Sequence, residues 1–240
     1  MCRSLVDFSC HVFRTWRRIG SEGLKMALFD TSETRKEAET PTACGKTAMR
    51  CHTVRGKRLF DVRRFNSEAA LLESVPWHFQ SGTTYHVISG GDCDALTFLR
   101  HVVRQQRLDF CLVSSWCYGV EDVSEMGDWL EKGAVGRFDF YCGEIAKASY
   151  AMCAAELGEI ARKGGGRLGV FRNHSKVMAF YGEKFDGAIL SSANVNTNPR
   201  TENTVIACQT EVADFYKAFF DDIHPFNFKD FPNFTPWRRK

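Results

Sequence analysis

Residues 174–203 read His-Ser-Lys-Val-Met-Ala-Phe-Tyr-Gly-Glu-Lys-Phe-Asp-Gly-Ala-Ile-Leu-Ser-Ser-Ala-Asn-Val-Asn-Thr-Asn-Pro-Arg-Thr-Glu-Asn, and no other stretch of the 240-residue chain gathers so much phosphate chemistry. Lys176 to Tyr181 and Ala188 to Ser191 read as two strands, joined as a hairpin through Gly182–Gly187, and Asn203 to Cys208 reads as another. His174 and Lys176 stand two apart in a strand-like run, so they are expected on one face of a sheet. A neutral imidazole can attack phosphorus while an ammonium neutralises the phosphate oxygens, which points to phosphodiester chemistry.

Upstream, Tyr85 to Ser89 reads as a strand, Gly90-Gly91 as a turn and Asp92 as the N-cap of a helix with positions 95, 99, 102 and 103 on one face. Leu108 to Ser114 is a buried strand, Val120 to Lys132 a helix and Arg137 to Cys142 a third strand. The helix near 147–163 stops at Gly164-Gly165-Gly166 before a strand at Arg167 to Phe171. Three β-then-α units in a row predict an α/β fold: a mixed, largely parallel β-sheet flanked by helices on both faces. Downstream, Val212, Phe215, Phe219 and Ile223 mark the apolar face of a closing amphipathic helix.

The charge is uneven. Residues 1–65 carry 14 Lys and Arg against 7 Asp and Glu, a net +7, which leaves −4 on the other 175 residues for a total of +3. Residues 1–66 are therefore a basic arm, expected to be poorly ordered where residues 31–58 show little apolar periodicity. Residues 67–224 form the domain, and residues 225–240 an aromatic-basic tail with Phe226, Phe228, Phe231, Phe234 and Trp237 beside Lys229, Arg238 and Arg239. Such a tail either stacks bases and binds phosphates or packs on its own domain. Met26-Ala-Leu-Phe-Asp reads as an alternative translation start, which would make residues 1–25 an upstream extension. Gly45-Lys46-Thr47 matches the end of a P-loop but lacks its earlier glycine and a preceding strand.

Several of the ten cysteines sit in apolar runs, such as Cys111, Cys142, Cys153 and Cys208, where free thiols act as small hydrophobes. That favours a reducing compartment, the cytoplasm. Cys44, Cys51, His52 and His78 match no recurring zinc spacing. No apolar run approaches the roughly 20 residues of a membrane-spanning helix, so no stable membrane association is expected.

The order His174-x-Lys176, then Ser191-Ser192-x-Asn194, then Glu202-Asn203 before an apolar strand resembles the phospholipase D superfamily, and the β/α order from 85 to 223 agrees with one half of that fold. The resemblance implies that His174 attacks phosphorus to give a phosphohistidine, that Lys176 and Asn194 hold the non-bridging oxygens with Ser192 and Ser191 beside them, and that Glu202 orients the imidazole. It implies no cofactor and no metal. The family's aspartate would fall at Tyr181; the nearest carboxylate is Asp186. The mechanism uses two histidines and the chain holds one His-x-Lys, so a homodimer completing the active site is implied, as in small dimeric nuclease members. Ser114, Ser115, Trp116 and Tyr118, beyond the carboxyl end of a strand, either line the substrate groove or close a packed turn. Gly90-Gly91 either offers amides to phosphate or is a plain turn.

Three functions remain open on sequence. A metal-independent nuclease fits the basic arm, the tail and the single motif, with nucleic acid as substrate. A phospholipid or other phosphodiester hydrolase or transferase would be expected to show apolar or amphipathic membrane-binding segments, and usually two motifs. A non-catalytic nucleic-acid-binding or assembly module would keep the pocket without the chemistry.

Overall fold

In the computed structural model the described residues are 59–239 without 148 and 198; the backbone alone is described for residues 59–65 and Lys147. The basic segment 31–58, the Gly45-Lys46-Thr47 triplet, and Cys44, Cys51 and His52 lie outside the described residues. Among the described residues seven strands form one sheet: β1 (Thr84–Ser89), β2 (Leu108–Ser115), β3 (Phe138–Gly143), β4 (Leu168–Phe171), β5 (Val177–Gly182), β6 (Gly187–Ser191) and β7 (Glu202–Ala207). Five α-helices accompany them: α1 (Leu59–Ser74), α2 (Ala95–Gln105), α3 (Val120–Glu131), α4 (Ala151–Lys163) and α5 (Thr210–Asp221). Helix α1 runs across residue 66, where the charge pattern placed the edge of the arm.

The α/β class stands, but the sheet is mostly antiparallel. Its order is β1-β7-β6-β5-β2-β3-β4, and only β2–β3 and β3–β4 pair in parallel; the other four pairings are antiparallel. The directions explain the difference. Strands β1, β2, β3 and β4, joined through α2, α3 and α4, all run one way and β6 runs with them, while β5 and β7 run the other way and insert between them. The order of elements along the chain sets direction, but the choice of neighbours is made by long-range pairing that periodicity does not encode.

Both faces of the sheet are covered, so its central strands are apolar throughout. Along β2, Cys111 and Val113 join a core under α1 to α4, while Phe110 and Leu112 join a second core under α5. Helix α2 is buried on more sides than its amphipathic pattern implied, because α1 lies over it: Arg100 reaches Glu68 of α1 at 3.5 Å and Glu125 of α3 at 2.7 Å. Its N-cap is Asp94; Asp92 instead accepts the Gly90 N–H at 3.0 Å within the turn. Helix α5 is rotated from the sequence expectation. Ala213, Lys217 and Phe220 face the sheet, with the Lys217 stem turned inward to reach Asp221, and Phe215 and Phe219 are 69% and 57% exposed.

The tail packs on the domain. Phe226 N–H donates to Val170 O, and the Asn227 amide accepts the Val170 N–H (2.8 Å) and donates to Leu168 O (2.9 Å), so the edge of β4 is closed. Trp237 then stacks on Phe110 at 5.0 Å, and Phe234 lies 3.9 Å from the Arg167 guanidinium. No described helix is long and apolar enough to cross a membrane. The six described cysteines are buried free thiols.

Candidate active site

The chain leaves β4 at Phe171 and enters β5 at Val177, crossing the ends of β3 and β2 on the way. That gap is three strand spacings, about 14 Å, within the roughly 20 Å that six Cα steps can reach, and the segment takes up the slack in two local turns: Asn173 N–H donates to Phe171 O (2.8 Å) and Ser175 N–H to Asn173 Oδ1 (3.0 Å). His174 and Lys176 therefore lie in this crossing and not inside β5, and the two side chains meet directly. Arg172 and His174 are exposed, while Asn173 between them is buried.

Asn173 pegs the crossing to the sheet. Its amide donates to Ser114 Oγ (2.9 Å) and to Tyr141 O (3.2 Å), at the ends of β2 and β3. Its Oδ1 accepts the Ser175 N–H (3.0 Å) and hydroxyl (2.7 Å), and Ser175 Oγ lies 2.7 Å from Ser114 Oγ. Every polar atom of the Asn173 amide group is thus used below His174. Sequence reasoning missed Asn173 and Ser175, because an Asn beside a Ser reads as an ordinary turn former.

On the outer side, Lys176 Nζ lies 3.0 Å from His174 Nδ1 and donates to His174 O at 2.7 Å. Partial burial pulls the Lys176 ammonium below the usual lysine range, with the Cys117 thiol and the Glu202 carboxylate acting in the opposite sense. Trp116 tilts beside the imidazole with ring centroids 5.6 Å apart, seated where any side chain at Gly143 would collide with it.

The remaining sequence candidates lie around the ends of β2, β6 and β7. The exposed Ser192 hydroxyl accepts the Asn203 N–H (3.1 Å) and bonds the Glu202 carboxylate. In the single chain His174 Nδ1 thus faces Lys176, while Glu202 is engaged by Ser192. Ser191 bonds Thr204 Oγ1 (2.9 Å) and accepts the Ala193 N–H, so it shapes the turn. Ser115 is fully buried and cannot line a groove. It donates to Cys117 O (2.7 Å), accepts the Val195 N–H (3.0 Å) and lies 3.4 Å from Asn194 Oδ1, holding the Asn194 turn against β2. Tyr118 is buried too and donates to Val113 O at 2.9 Å; burial raises its phenol. At Gly91, φ is +92° and an added Cβ would come within 2.5 Å of the Pro199 carbonyl carbon. The turn is therefore a close backbone contact, and its Gly90 amide is taken by Asp92.

Asp186 sits at the other end of β5. Its carboxylate accepts from Gly182 N–H, Thr210 Oγ1 (2.9 Å) and both terminal nitrogens of Arg239 (2.6 and 2.9 Å), closing the β5–β6 hairpin and fastening the tail. Tyr181 donates to Asp214 at 2.6 Å.

The arrangement gathers an exposed imidazole, an ammonium, a primary amide, a hydroxyl and a carboxylate at one end of the sheet. Among the described residues no group of three His, Cys, Asp or Glu side chains is placed to hold a metal ion.

No protein-family model and no curated protein matches the chain. Among solved structures it is similar to polyphosphate kinase from Porphyromonas gingivalis, with 16% identity, a TM-score of 0.47 and coverage of 66% of this chain and 29% of that one. It is also similar to NucT from Helicobacter pylori, with 12% identity, a TM-score of 0.45 and coverage of 57% and 94%. The chain spans less than a third of the length of the polyphosphate kinase.

Proposed function

We propose that this chain is a phosphodiesterase of the phospholipase D type that hydrolyses nucleic-acid phosphodiester bonds through a phosphohistidine, without a metal. The observation that carries the reading is the pair of exposed His174 and half-buried Lys176, 3.0 Å between Nδ1 and Nζ, on a crossing pegged by Asn173. A substrate phosphate draws the Lys176 ammonium onto its oxygens and frees the imidazole. The imidazole nitrogen then bonds to phosphorus as the bond to the leaving oxygen breaks, and that oxygen takes a proton from a second imidazolium. Water next attacks phosphorus, its proton passes to that second imidazole, and the P–N bond breaks. Asn194 and Ser192 stabilise the phosphoryl oxygens, and Glu202 orients an imidazole once substrate and dimer are in place.

The second histidine is His174 of the partner subunit in a homodimer. With the tail packed on its own domain, support for a nucleic-acid substrate comes from the basic residues 1–65, net +7.

The test incubates the protein with single- and double-stranded DNA and with RNA in EDTA, beside a His174→Ala control. Cleavage should persist in EDTA and vanish in the variant; cleavage lost in EDTA refutes the metal-free scheme. Absence of cleavage on every nucleic acid, with turnover of bis(p-nitrophenyl) phosphate, would retain the chemistry and withdraw the substrate. An active strict monomer by light scattering would remove the dimer.

A further inference from the structure

The crossing that presents His174 and Lys176 also presents Arg172. Arg172 and His174 are both exposed on either side of the buried Asn173, and Lys176 Nζ lies 3.0 Å from His174 Nδ1, so the three basic side chains gather on the outer side of the crossing. Asn173 and Ser175 fix that group from below before any ligand arrives. Most other described arginines are engaged: Arg100 and Arg104 with Glu68, Arg107 with Asp109, Arg137 with Asp139, Arg239 with Asp186. Arg172 is exposed and makes no ion pair or hydrogen bond within the described residues.

One phosphate occupies the His174–Lys176 pair. A guanidinium one step further along has no use for an isolated diester. In a polynucleotide strand, however, the next phosphate lies one nucleotide away, within comparable reach, and a guanidinium can grip it with two parallel hydrogen bonds. We infer that Arg172 is a substrate-binding residue that holds the phosphate adjacent to the scissile one, so that the site takes a linear nucleic-acid strand and not a small diester. The word scissile rests on the phosphodiesterase reading; the contact to a neighbouring phosphate does not.

Two readouts keep these apart. Turnover of a mixed-sequence single-stranded oligonucleotide and of bis(p-nitrophenyl) phosphate is compared for the wild type, Arg172→Gln and Lys163→Gln, the last removing a charge from the end of α4 that leads into the start of β4, away from the site. Binding of the same oligonucleotide, as DNA and as RNA, is then followed by fluorescence anisotropy across a salt series in a His174→Ala background. Arg172→Gln should raise KM and Kd for the oligonucleotide about tenfold and lower the slope of log Kd against log salt by about 1. It should leave turnover of the small diester within about twofold, and Lys163→Gln should do none of this. Equal losses on both substrates, or an unchanged oligonucleotide Kd and salt slope, overturn the inference. Arg172-dependent binding without any cleavage supports it while removing the phosphodiesterase reading.

Discussion

Strand β5 starts one residue after Lys176 and ends at Gly182, where the hairpin carrying Asp186 begins, and its two ends handle charge differently. At the hairpin end the buried Asp186 carboxylate is matched by a backbone amide, a hydroxyl and a guanidinium. At the crossing end the buried groups are neutral amides and hydroxyls, Arg172 is exposed and Lys176 is half-buried beside His174. A carboxylate locked by three partners can only hold the fold together. A cation mounted on a neutral, fully bonded base is available to a ligand, and this separates the structural from the functional end of one strand.

The comparison breaks first, and hardest, at Asp186. Asp186→Ala should cost about 3 kcal/mol in urea unfolding, because Gly182 N–H, Thr210 and Arg239 lose their common acceptor, with the activity per folded molecule retained. A variant as stable as the wild type would show that the hairpin end does not carry the fold.

Asn173→Ala should cost less, about 2 kcal/mol, but should lower kcat at least about tenfold with little change in KM, since the peg fixes His174 and not the substrate. Amide exchange at Ser175 should quicken in the same variant. An unaltered kcat would return Asn173 to a purely structural role.

A third contrast is chemical. Burial pushes the Cys93 and Cys208 thiols up to about 11 from an ordinary 9, so the fold resists their ionisation. Their stabilisation is complete below about pH 9 and is lost as pH rises towards 11, by about 2 kcal/mol for each thiol. Urea midpoints measured from pH 8 to 11 should fall through that window, and Cys93→Ala with Cys208→Ala should make the fall shallower without abolishing it, because burial also raises the Cys111 and Cys142 thiols. The smallest effect belongs to the helix whose phase was misjudged. Phe215→Ser with Phe219→Ser should shift stability by less than about 0.5 kcal/mol each; a loss of 2 kcal/mol or more would put both rings back in the core.

The sequence exposed the succession of β and α elements well, because three buried strands and the glycine stop after α4 are local signals. It also picked out His174, Lys176, Ser192, Asn194 and Glu202, which the fold does bring to one end of the sheet. Neighbour order was not legible: nothing in Val177–Gly182 or Glu202–Ala207 states that each inserts between strands running the other way. Helix α1 was hidden by the basic composition at its start. The phase of α5 was missed because Lys217 turns its stem inward against expectation for a charged residue. Ser115 looked like a groove residue only because the Asn194 turn that covers it comes 79 residues later.

The crossing from Phe171 to Val177 is held at one point. Asn173 ties it to the ends of β2 and β3, and a residue inserted or deleted between Asn173 and Lys176 would break the Asn173–Ser175 turn and carry the imidazole away from the ammonium. The loop that carries the chemistry is therefore less free to vary in length than the surface turns around it.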